Sequence, residues 1–492
     1  MDTNRVLAID FGASSGRAIL GTFENGQIHM EEIHRFPNDP VILNGTMYWD
    51  TLRLFHEIKQ CMIKANHKGG FDSLGIDTWG VDFGLLDEHG DLLENSIHYR
   101  DDRTLGMQEE VFKRFPKEDL YLLTGNQFEN FNTIFQLMGL KKNRPWVLEK
   151  AKKLLLTPDL YNYFLTGKQN WEYTIASTTQ LVDAKNRVWS DEVLNAIGIS
   201  GVLFGEINPS GTIVGEVKKE ICDELLLDGE NPPKVIAVAG HDTQSAAVAV
   251  PTLEEDFVFI SCGTWSLFGT ELREPVINKE SFELQVSNEG GYGDTSTFLK
   301  NIIGLWLIQE CRRTWKHEGL EFSYGELEEM ALREEPFISF IDPDYHEFNS
   351  AGDMPDKIKA FCKRTGQVVP ETPGQIVRCI DQSLALKYRY ALEQIEHCTK
   401  KKYKNIHMIG GGIQSKMLCE MTACANNKKV IAGPIEATAL GNIAVQMISL
   451  GIIKDLKTVR ESISKSDDIH IYEPQDFETW DKAYAKWKTI LN

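Results

Sequence analysis

Short runs of apolar and β-branched residues alternate along this chain with longer segments in which apolar positions recur every three or four residues. The first run, VLAIDF at 6–11, leads through a small-residue turn into RAILGTF at 17–23, which predicts two strands joined by that turn. The segment 46–69 has helical spacing and stops at glycine, so it predicts a helix. Strands and helices that alternate in this way predict an α/β fold.

The same opening pattern occurs twice in the chain. DFVFISCGTWSLFGTEL at 256–272 again has an apolar run, a glycine turn and a second apolar run. A chain of 492 residues is too long for one ordinary hydrophobic core. We therefore expect a duplicated domain, with one copy at 1–248, the other at 249–492 and the seam near 246–254. The stretch 71–93 is a further strand, turn and strand.

Composition restricts the class of protein. Acidic residues outnumber basic ones 72 to 52, for a formal charge of −20. This charge disfavours a general nucleic-acid binder, which needs an excess of cationic side chains to neutralise phosphates. We find no signal-peptide pattern at the start and no apolar run long enough to span a membrane. The nine cysteines include no CxxC pair, so we expect a cytoplasmic enzyme with reduced thiols, neither a disulfide scaffold nor a zinc protein.

Two turns have the composition of phosphate-binding loops. After Asp10 the chain reads FGASSGR, and small residues there allow backbone N–H groups to approach a phosphate. The alternative is an ordinary hairpin turn that needs glycine for positive φ. The turn at Gly263, Thr264 and Ser266 repeats the pattern in the second half. Two such turns at matching places favour a shared role, in which they face one another and hold a polyphosphate.

A third glycine-rich stretch joins a strand to a helix. Gly410, Gly411 and Gly412 follow IHMI and precede a segment with helical spacing. Consecutive glycines at such a junction permit close approach of a flat ligand and of phosphate to the helix N-terminus. A flexible loop is the alternative, but the well-patterned flanks favour the ligand. The GxGxxG spacing of a Rossmann dinucleotide site is missing.

One acidic residue stands within an apolar run. In VIAVAGHDTQSAAVAV at 235–250, Asp242 lies where a buried strand turns into a buried helix. A carboxylate there is unfavourable unless a partner or a reaction requires it. A positioned carboxylate can take the proton of a hydroxyl that attacks phosphorus. The alternative is a helix-capping aspartate whose carboxylate accepts backbone N–H groups.

These stretches, in this order, resemble the FGGY carbohydrate kinases of the actin-like ATPase superfamily over essentially the whole chain. The motifs that carry the resemblance are DFGASSGR, EIHRFPN, GIDTWGVDF, YRDDRT, LTGKQNWEYT, GHDT, SCGTWSLFG, LKNIIGLWLIQE and GPIEATALGN. The resemblance implies two actin-like, ribonuclease H-like α/β domains with a cleft between them. It implies transfer of phosphate from ATP, with Mg²⁺, to the ketose L-rhamnulose during deoxysugar breakdown. A monomer or a weak homo-oligomer is expected, with no nucleic-acid or membrane partner.

The resemblance also implies roles for individual residues. Asp242 is expected to be the general base, and Asp10 to hold Mg²⁺ directly or through water. The residues expected to contact ATP are Ala13, Ser14, Ser15, Gly16, Arg17, Thr264, Gln309 and Gly411. Those expected to contact the sugar are Gly80, His241, Asp242, Thr243 and Asn301. Trp79, beside Gly80, is either part of the sugar pocket or an ordinary core residue.

Two alternatives stay open from the sequence. The first is a kinase of the same family for another deoxyketose such as L-fuculose, which differs only in pocket stereochemistry. The second is an actin-like ATPase that acts as a chaperone or a filament. That protein would need the phosphate turns, but it would not need Trp79 and Gly80, Asn301 or a base above a sugar hydroxyl.

Overall fold

The chain folds into two compact units of mixed α/β structure. The computed structural model describes residues 4–466 and 468–491. The first unit consists of Met1–Ala249, Glu271–Phe298 and Ala437–Ile463, and the second of Val250–Thr270, Leu299–Glu436 and Ser464–Asn492. Each unit therefore contains segments that are distant in sequence, and the segment Ala437–Ile463 of the first unit comes from near the end of the chain. The two-domain α/β class expected from the sequence is confirmed.

The strands follow one another along the whole chain. In chain order they are β1 Arg5–Phe11, β2 Ser15–Glu24, β3 Gln27–Pro37, β4 Val41–Leu43, β5 Thr46–Tyr48, β6 Ser73–Thr78, β7 Phe83–Leu86, β8 Lys153–Leu156, β9 Trp171–Glu172, β10 Val182–Asp183, β11 Val188–Trp189, β12 Ile207–Asn208, β13 Thr212–Glu216, β14 Lys234–Ala237, β15 Val258–Cys262, β16 Trp265–Leu272, β17 Ser287–Gly290, β18 Ser296–Ile303, β19 Asn405–Ile409, β20 Lys429–Ala432 and β21 His470–Tyr472.

The α-helices lie between these strands. In chain order they are α1 Thr51–His67, α2 Met107–Phe112, α3 Lys117–Thr124, α4 Thr133–Asn143, α5 Pro145–Lys150, α6 Thr157–Thr166, α7 Tyr173–Ala176, α8 Asp191–Ile197, α9 Lys219–Leu225, α10 Asp242–Val248, α11 Lys279–Glu283, α12 Trp306–His317, α13 Tyr324–Leu332, α14 Met354–Arg364, α15 Pro373–Thr399, α16 Lys416–Asn426, α17 Ala437–Ser449, α18 Leu456–Ile463 and α19 Phe477–Lys488. Short 3₁₀ helices occur at Asp102–Thr104, Ser177–Thr179, Gly201–Leu203, His346–Asn349 and Gly411–Gln414.

The first unit is built on a six-stranded sheet with the order β13-β14-β6-β1-β2-β3. Strand β1 pairs antiparallel with β2 and parallel with β6, so the predicted strand–turn–strand at 6–23 is confirmed. Residues 6–11 are buried, as a continuous apolar run in a covered strand predicts. Strands β2 and β3 join through Asn25 and Gly26, both at positive φ, which is the signature of a tight hairpin.

Helices cover both faces of this sheet. Leu7, Ile9 and Phe11 share a hydrophobic cluster with buried residues of α1, which begins at the side-chain cap of Asp50 and corresponds to the predicted helix at 46–69. The opposite face packs against α17, because a Cβ on Gly75 would lie 2.7 Å from the side chain of Asn442. Gly75 is the partner of Ala8 in the β1–β6 register. The side chains of Val6, Ala8 and Asp10 therefore point toward α17, since alternate strand residues face opposite sides.

The predicted strands in 71–93 form, but they do not pair with each other. Strand β6 belongs to the large sheet, whereas β7 pairs antiparallel with β8. The turn between β6 and β7 thus carries the chain from one sheet to another. This places Trp79 and Gly80 at the end of the strand that also holds Asp77.

The sheet that contains β15 of the second unit has seven strands, in the order β17-β18-β16-β15-β19-β20-β21. Strand β15 is antiparallel to β16 and parallel to β19, and β19 is parallel to β20. From β18 to β21 this order matches β3-β2-β1-β6-β14-β13 of the first unit, and the pairing senses from β16 to β21 match those from β2 to β13. The pattern repeat in the sequence therefore corresponds to a repeated strand order. Among the described residues, no helix has the length and apolar character needed to cross a membrane.

Candidate active site

Asp10 and Asp77 stand side by side on neighbouring parallel strands. They are direct partners in the β1–β6 register, so their side chains project from the same face of the sheet. Asp77 is fully buried, and its Oδ2 accepts a hydrogen bond from Asn442 Nδ2 at 2.6 Å. Its Oδ1 has no hydrogen-bond partner within the part of the chain that the structure describes. Burial, and then the charge of Asp10, raise the pKa of Asp77 well above its usual value.

Arg17 neutralises part of this acidic site. Its Nε and one terminal nitrogen donate to Asp10 Oδ2 at 2.9 and 2.8 Å, across the β1–β2 pair. Both side chains are largely buried, with 19% of Arg17 and 10% of Asp10 exposed. Such a charge-assisted pair fixes the direction in which the carboxylate points. The sequence predicts that Arg17 contacts phosphate. In the structure its guanidinium donates to the carboxylate of Asp10.

The turn between β1 and β2 does not require glycine for positive φ. Neither Gly12 nor Gly16 lies in the left-handed region. A Cβ on Gly16 would fall 2.3 Å from the ring of Phe36, so this glycine makes room for packing. Asn38 pins the turn, because its amide donates to Gly12 O at 2.9 Å and its backbone N–H to Ser14 O at 3.1 Å.

The tip of this turn is open to ligand. Ser14 is exposed, and Ala13 and Ser15 are partly exposed. Because neither Gly12 nor Gly16 has a positive φ, the explanation of this turn as a hairpin that needs glycine for positive φ is wrong. An accessible turn of small residues with a fixed backbone is what a phosphate cradle requires.

Asp242 is the first residue of α10, and His241 occupies the capping position before it. Among the described residues, the His241 side chain makes no capping hydrogen bond to the start of α10. Asp242 Oδ1 accepts the hydroxyl of Thr243 at 3.2 Å. Asp242 is thus not the N-cap that the structural alternative requires. About a third of its side chain, 32%, is exposed. Burial raises its pKa to about 6, His241 opposes this rise, and the charge of Asp10 adds to it.

The turn that carries His241 and Asp242 is held by a buried glutamate. Glu172 Oε2 accepts the backbone N–H of Gly240 at 3.0 Å and the hydroxyl of Thr174 at 2.6 Å. Thr174 Oγ1 in turn accepts the N–H of His241 at 3.2 Å. Thr78, at the end of β6, donates its N–H to Gly240 O at 2.9 Å. This turn is therefore fixed on two sides by groups that sequence reasoning missed, although Glu172 lies within the quoted motif LTGKQNWEYT.

Three carboxyl groups of the first unit act on one another. The charges of both Asp10 and Asp242 raise the pKa of Asp77, and the charge of Asp10 raises that of Asp242. The residue predicted as metal ligand and the residue predicted as base are thus brought together. Asp77 was not among the predicted site residues. Its signal was the register of two parallel strands, which the sequence does not display.

Trp79 is a core residue with its polar atom satisfied. Only 6% of it is exposed, and its Nε1 donates to Asp82 Oδ2 at 2.9 Å. Trp49 donates to the same oxygen at 2.6 Å, and Gln136 donates to Oδ1 at 3.0 Å. Burial raises the pKa of Asp82 to about 6 despite these donors. Of the two alternatives for Trp79, the structure supports the core residue.

Gly80 lies in a constrained turn. A Cβ there would be 3.2 Å from the methyl of Thr178, so a side chain would have to displace that residue. Next to it, Val81 has φ +69°, which is rare for a β-branched residue. Thr178 Oγ1 accepts the Val81 N–H at 3.1 Å, and Thr133 donates to Val81 O at 2.6 Å. Strain held by surrounding groups is typical of functional sites, which agrees with the predicted place of Gly80.

In the second unit, Thr264 and Gln309 are in direct contact. Thr264 Oγ1 donates to Gln309 Oε1 at 3.2 Å. The backbone of the turn accepts the N–H groups of Gly304 and Leu305 at 3.1 and 3.0 Å, which ties it to the start of α12. Two residues predicted for the nucleotide side are therefore neighbours. Asn301 lies in β18, partly buried.

The three consecutive glycines have different structural roles. Gly410 has φ +88°, and a Cβ on it would lie 3.1 Å from Cys262 O. A Cβ on Gly412 would lie 2.3 Å from Cys262 Sγ. Both glycines thus allow the loop to pack on the end of β15. Apart from its chain neighbours, no heavy atom of the described residues lies within 4 Å of a Cβ built on Gly411, so this position has space beside it for a ligand.

A divalent cation would have to find further ligands outside the protein. Among the described residues, no three His, Cys, Asp or Glu side chains lie close enough to hold a metal ion. Mg²⁺ bound with a nucleotide commonly takes one or two carboxylates, and substrate phosphates and water complete its shell. Asp10 together with the unpartnered oxygen of Asp77 fits that requirement.

Comparison with known proteins gives concordant results. Residues 5–249 match the model of the N-terminal domain of the FGGY family of carbohydrate kinases, and 258–450 match that of its C-terminal domain. The chain is 44% identical over 485 residues to a rhamnulokinase of Bacteroides thetaiotaomicron, covering 98% of this chain and 99% of the relative. It is 43% identical over 468 residues to a rhamnulokinase of Oceanobacillus iheyensis, covering 95% and 97%.

Solved structures share the fold at low sequence identity. A gluconate kinase from Lactobacillus acidophilus superposes with a TM-score of 0.82 at 18% identity, covering 99% of this chain and 97% of that one. Glycerol kinase of Plasmodium falciparum with ADP gives 0.79 at 16% identity, with the same coverage. Both domain models and the nearly full-length relatives lead to the same family. The chain belongs to the FGGY family of carbohydrate kinases.

Proposed function

We propose that this chain transfers the γ-phosphoryl group of ATP to L-rhamnulose and releases L-rhamnulose 1-phosphate and ADP. The family makes it an ATP-dependent sugar kinase. The choice of sugar is supported by the relatives named rhamnulokinase, which match over almost the whole chain. The reaction belongs to L-rhamnose breakdown in the cytoplasm.

Asp242 is the general base in this proposal, and the geometry of its carboxylate is the observation that carries it. The carboxylate is partly exposed and is not a helix cap. Its pKa of about 6 lets it be ionised at neutral pH while it retains basicity. As the bond from sugar oxygen to phosphorus forms, the hydroxyl proton moves to Asp242 and the bond to ADP breaks.

Other residues bind and orient the reactants. The sugar is held by Gly80, His241, Thr243 and Asn301. The turn Ala13–Arg17 receives phosphate through its backbone N–H groups. Thr264, Gln309 and Gly411 serve the nucleotide. Asp10 holds Mg²⁺, with Asp77 beside it, and when bound this ion neutralises phosphate charge.

A coupled ADP-release assay over a panel of ketoses and polyols tests the proposed function. L-rhamnulose should give the highest kcat/KM, with measurable activity toward L-fuculose and xylulose, because an apolar wall separates such sugars by only about 1–3 kcal/mol. A higher kcat/KM for another ketose would change the substrate that we assign, but the protein would still be a sugar kinase. ADP release that does not depend on added sugar would instead favour an actin-like ATPase.

A further inference from the structure

His241 is enclosed by carboxyl groups from three elements of the first unit. Its Nδ1 lies 3.0 Å from Oε2 of Glu289, which comes from β17. On the other side, Nε2 lies 3.6 Å from Oδ1 of Asp242 in α10. Glu172, at the start of α7, also acts on the ring. The imidazole therefore lies between the proposed base and a glutamate that the sequence did not single out.

Glu289 is fixed in place by a chain of polar groups. Gln244 Nε2, from the first turn of α10, donates to Glu289 Oε2 at 3.1 Å. Gln244 Oε1 accepts the hydroxyl of Thr297 at 2.7 Å, so the orientation of the amide is set from β18. Glu289, Gln244 and Thr297 are all buried. A glutamate held so firmly against one imidazole nitrogen is placed to act on the charge of that ring.

The charges around the ring favour the imidazolium. Burial is the largest single effect on the ring and by itself would lower the pKa of His241, but the carboxylates of Glu289, Asp242 and Glu172 together outweigh it. Together they raise the pKa of His241 to about 9. A cationic ring beside Asp242 in turn lowers the pKa of that carboxyl against the effect of burial.

We propose that Glu289 is a positioning residue that keeps His241 doubly protonated, with the Glu289 carboxylate 3.0 Å from Nδ1 and Asp242 on the Nε2 side of the ring. The cation holds Asp242 ionised and ready to accept the proton of the sugar hydroxyl. This role rests on the proposed function, in which Asp242 is the base. In this proposal Glu289, which is far from the GHDT motif in the sequence, controls the protonation state of His241 and Asp242.

NMR of the protein labelled with ¹³Cε1-histidine tests the charge of the ring without any need for activity. His241→Gln identifies the resonance, and titration should place its midpoint near pH 9. In Glu289→Gln the midpoint should fall by about one to three pH units, because a carboxylate within hydrogen-bond reach has been removed. A wild-type midpoint below pH 7, or an unchanged midpoint in the variant, overturns the proposal.

The pH dependence of kcat/KM tests the role of that charge in the reaction. Wild-type activity should fall on the alkaline side near pH 9, and in Glu289→Gln this fall should move to lower pH with the NMR midpoint. Glu289→Asp retains the charge and should restore part of the pH range over which kcat/KM is high. Glu283→Gln makes the same charge change on exposed α11 and should leave the profile as it is. Melting temperatures confirm that each variant is folded.

The two kinds of failure give different results. If the wild type shows no ketose-dependent ADP release, the proposed function fails, while the NMR titration still decides the protonation of His241. If the enzyme is active but the alkaline limb stays in place in Glu289→Gln, the role of Glu289 fails and the proposed function stands.

Discussion

The two strand–turn–strand hairpins at the centres of the two sheets share their topology and differ in their chemistry. In the first unit the hairpin β1–β2 carries Asp10 paired with Arg17, and the parallel neighbour β6 adds Asp77. In the second unit β15–β16 carries Thr264, whose hydroxyl is bonded to the neutral amide of Gln309. Close to the turn, the same scaffold is therefore charged in one copy and neutral in the other.

The difference also extends to the turns themselves. In the first hairpin Phe11 pairs with Gly16, and Gly12 N–H reaches Ser15 O at 3.0 Å. In the second, Cys262 pairs with Ser266 across a turn one residue shorter. Because a duplicated strand order can hold different side chains, the first copy is suited to cations and protons and the second to neutral hydrogen bonding. Substitutions in the two copies should accordingly affect different steps.

The largest effect is expected from Asp242→Asn. Asparagine keeps the shape but cannot take up the sugar proton, so kcat should fall by about 10²–10⁴. Binding of ketose and ATP should change little, and the melting temperature should hold or rise because a partly desolvated charge is removed. Steady-state kinetics with calorimetric binding measure these quantities.

A structural cap predicts the opposite outcome for Asp242→Asn. Asparagine caps helices about as well as aspartate, so activity would survive. A variant with more than about a tenth of the wild-type kcat would exclude Asp242 as the base, since even a modest general base contributes more.

Asp10→Asn should give the next largest loss. Removal of a group that holds charge in the transition state costs about 10²–10³ in kcat. The concentration of Mg²⁺ needed for half-maximal rate should rise as well. Asp72→Asn is a matched control directly before β6, because that carboxylate is exposed and accepts the backbone N–H of Arg5. Equal loss in both variants would show a general effect on the sheet.

Asp77 and Asp381 offer a test that separates stability from function. Asp381, in α15 of the second unit, is also buried, and its Oδ1 lacks a hydrogen-bond partner among the described residues. Burial raises the pKa of Asp381 to about 8 and that of Asp77 in the same direction. A raised pKa means that the folded state loses stability as pH rises from the unfolded value of about 4 toward the folded one.

Asparagine at either position should therefore stabilise the fold at pH 8 by about 1–3 kcal/mol and by less at pH 4. Only Asp77→Asn should also lower kcat, because only Asp77 lies beside Asp10. Thermal unfolding at both pH values with parallel kinetics measures this. Loss of activity in Asp381→Asn, or full activity in Asp77→Asn, would contradict the assignment of the reactive carboxyl groups to the first unit.

The smallest effect is expected from Thr264→Ala. The loss of one neutral hydrogen bond is worth about 0.5–1.5 kcal/mol, so KM for ATP should rise roughly 2- to 12-fold with little change in kcat. Thr264→Ser keeps the hydroxyl and should behave nearly as the wild type. A fall in kcat as large as that of Asp10→Asn would mean that the neutral copy also stabilises the transition state.

Local features of the site could be predicted from the sequence. The turn after Asp10, its repeat near Thr264 and the acid at the start of α10 all stand in short patterns of small and apolar residues. Such patterns reflect backbone geometry, which depends on neighbouring residues. The roles assigned to these residues and the division at 248 and 249 remain predictions.

Partners that are distant in sequence could not be predicted in this way. Asn442 meets Asp77 only because α17 packs on the first sheet, and Glu289 meets His241 only because 271–298 belongs to that unit. The assignment of these distant segments to the first unit depends on tertiary packing, which produces no periodic pattern in the sequence. Trp79 was ambiguous because an indole buried against a carboxylate and an indole facing a sugar have the same local pattern.

The pH dependence of kcat/KM for the ketose, measured in parallel for the wild type and for Asp242→Asn, tests the central claim most directly. The wild-type value should be half-maximal near pH 6, where Asp242 loses its proton, and should fall about tenfold for each pH unit below that. The residual activity of Asp242→Asn should not vary over the same range. An acid limb that persists in the variant, or its absence from the wild type, would contradict a reaction that depends on the ionised carboxylate of Asp242.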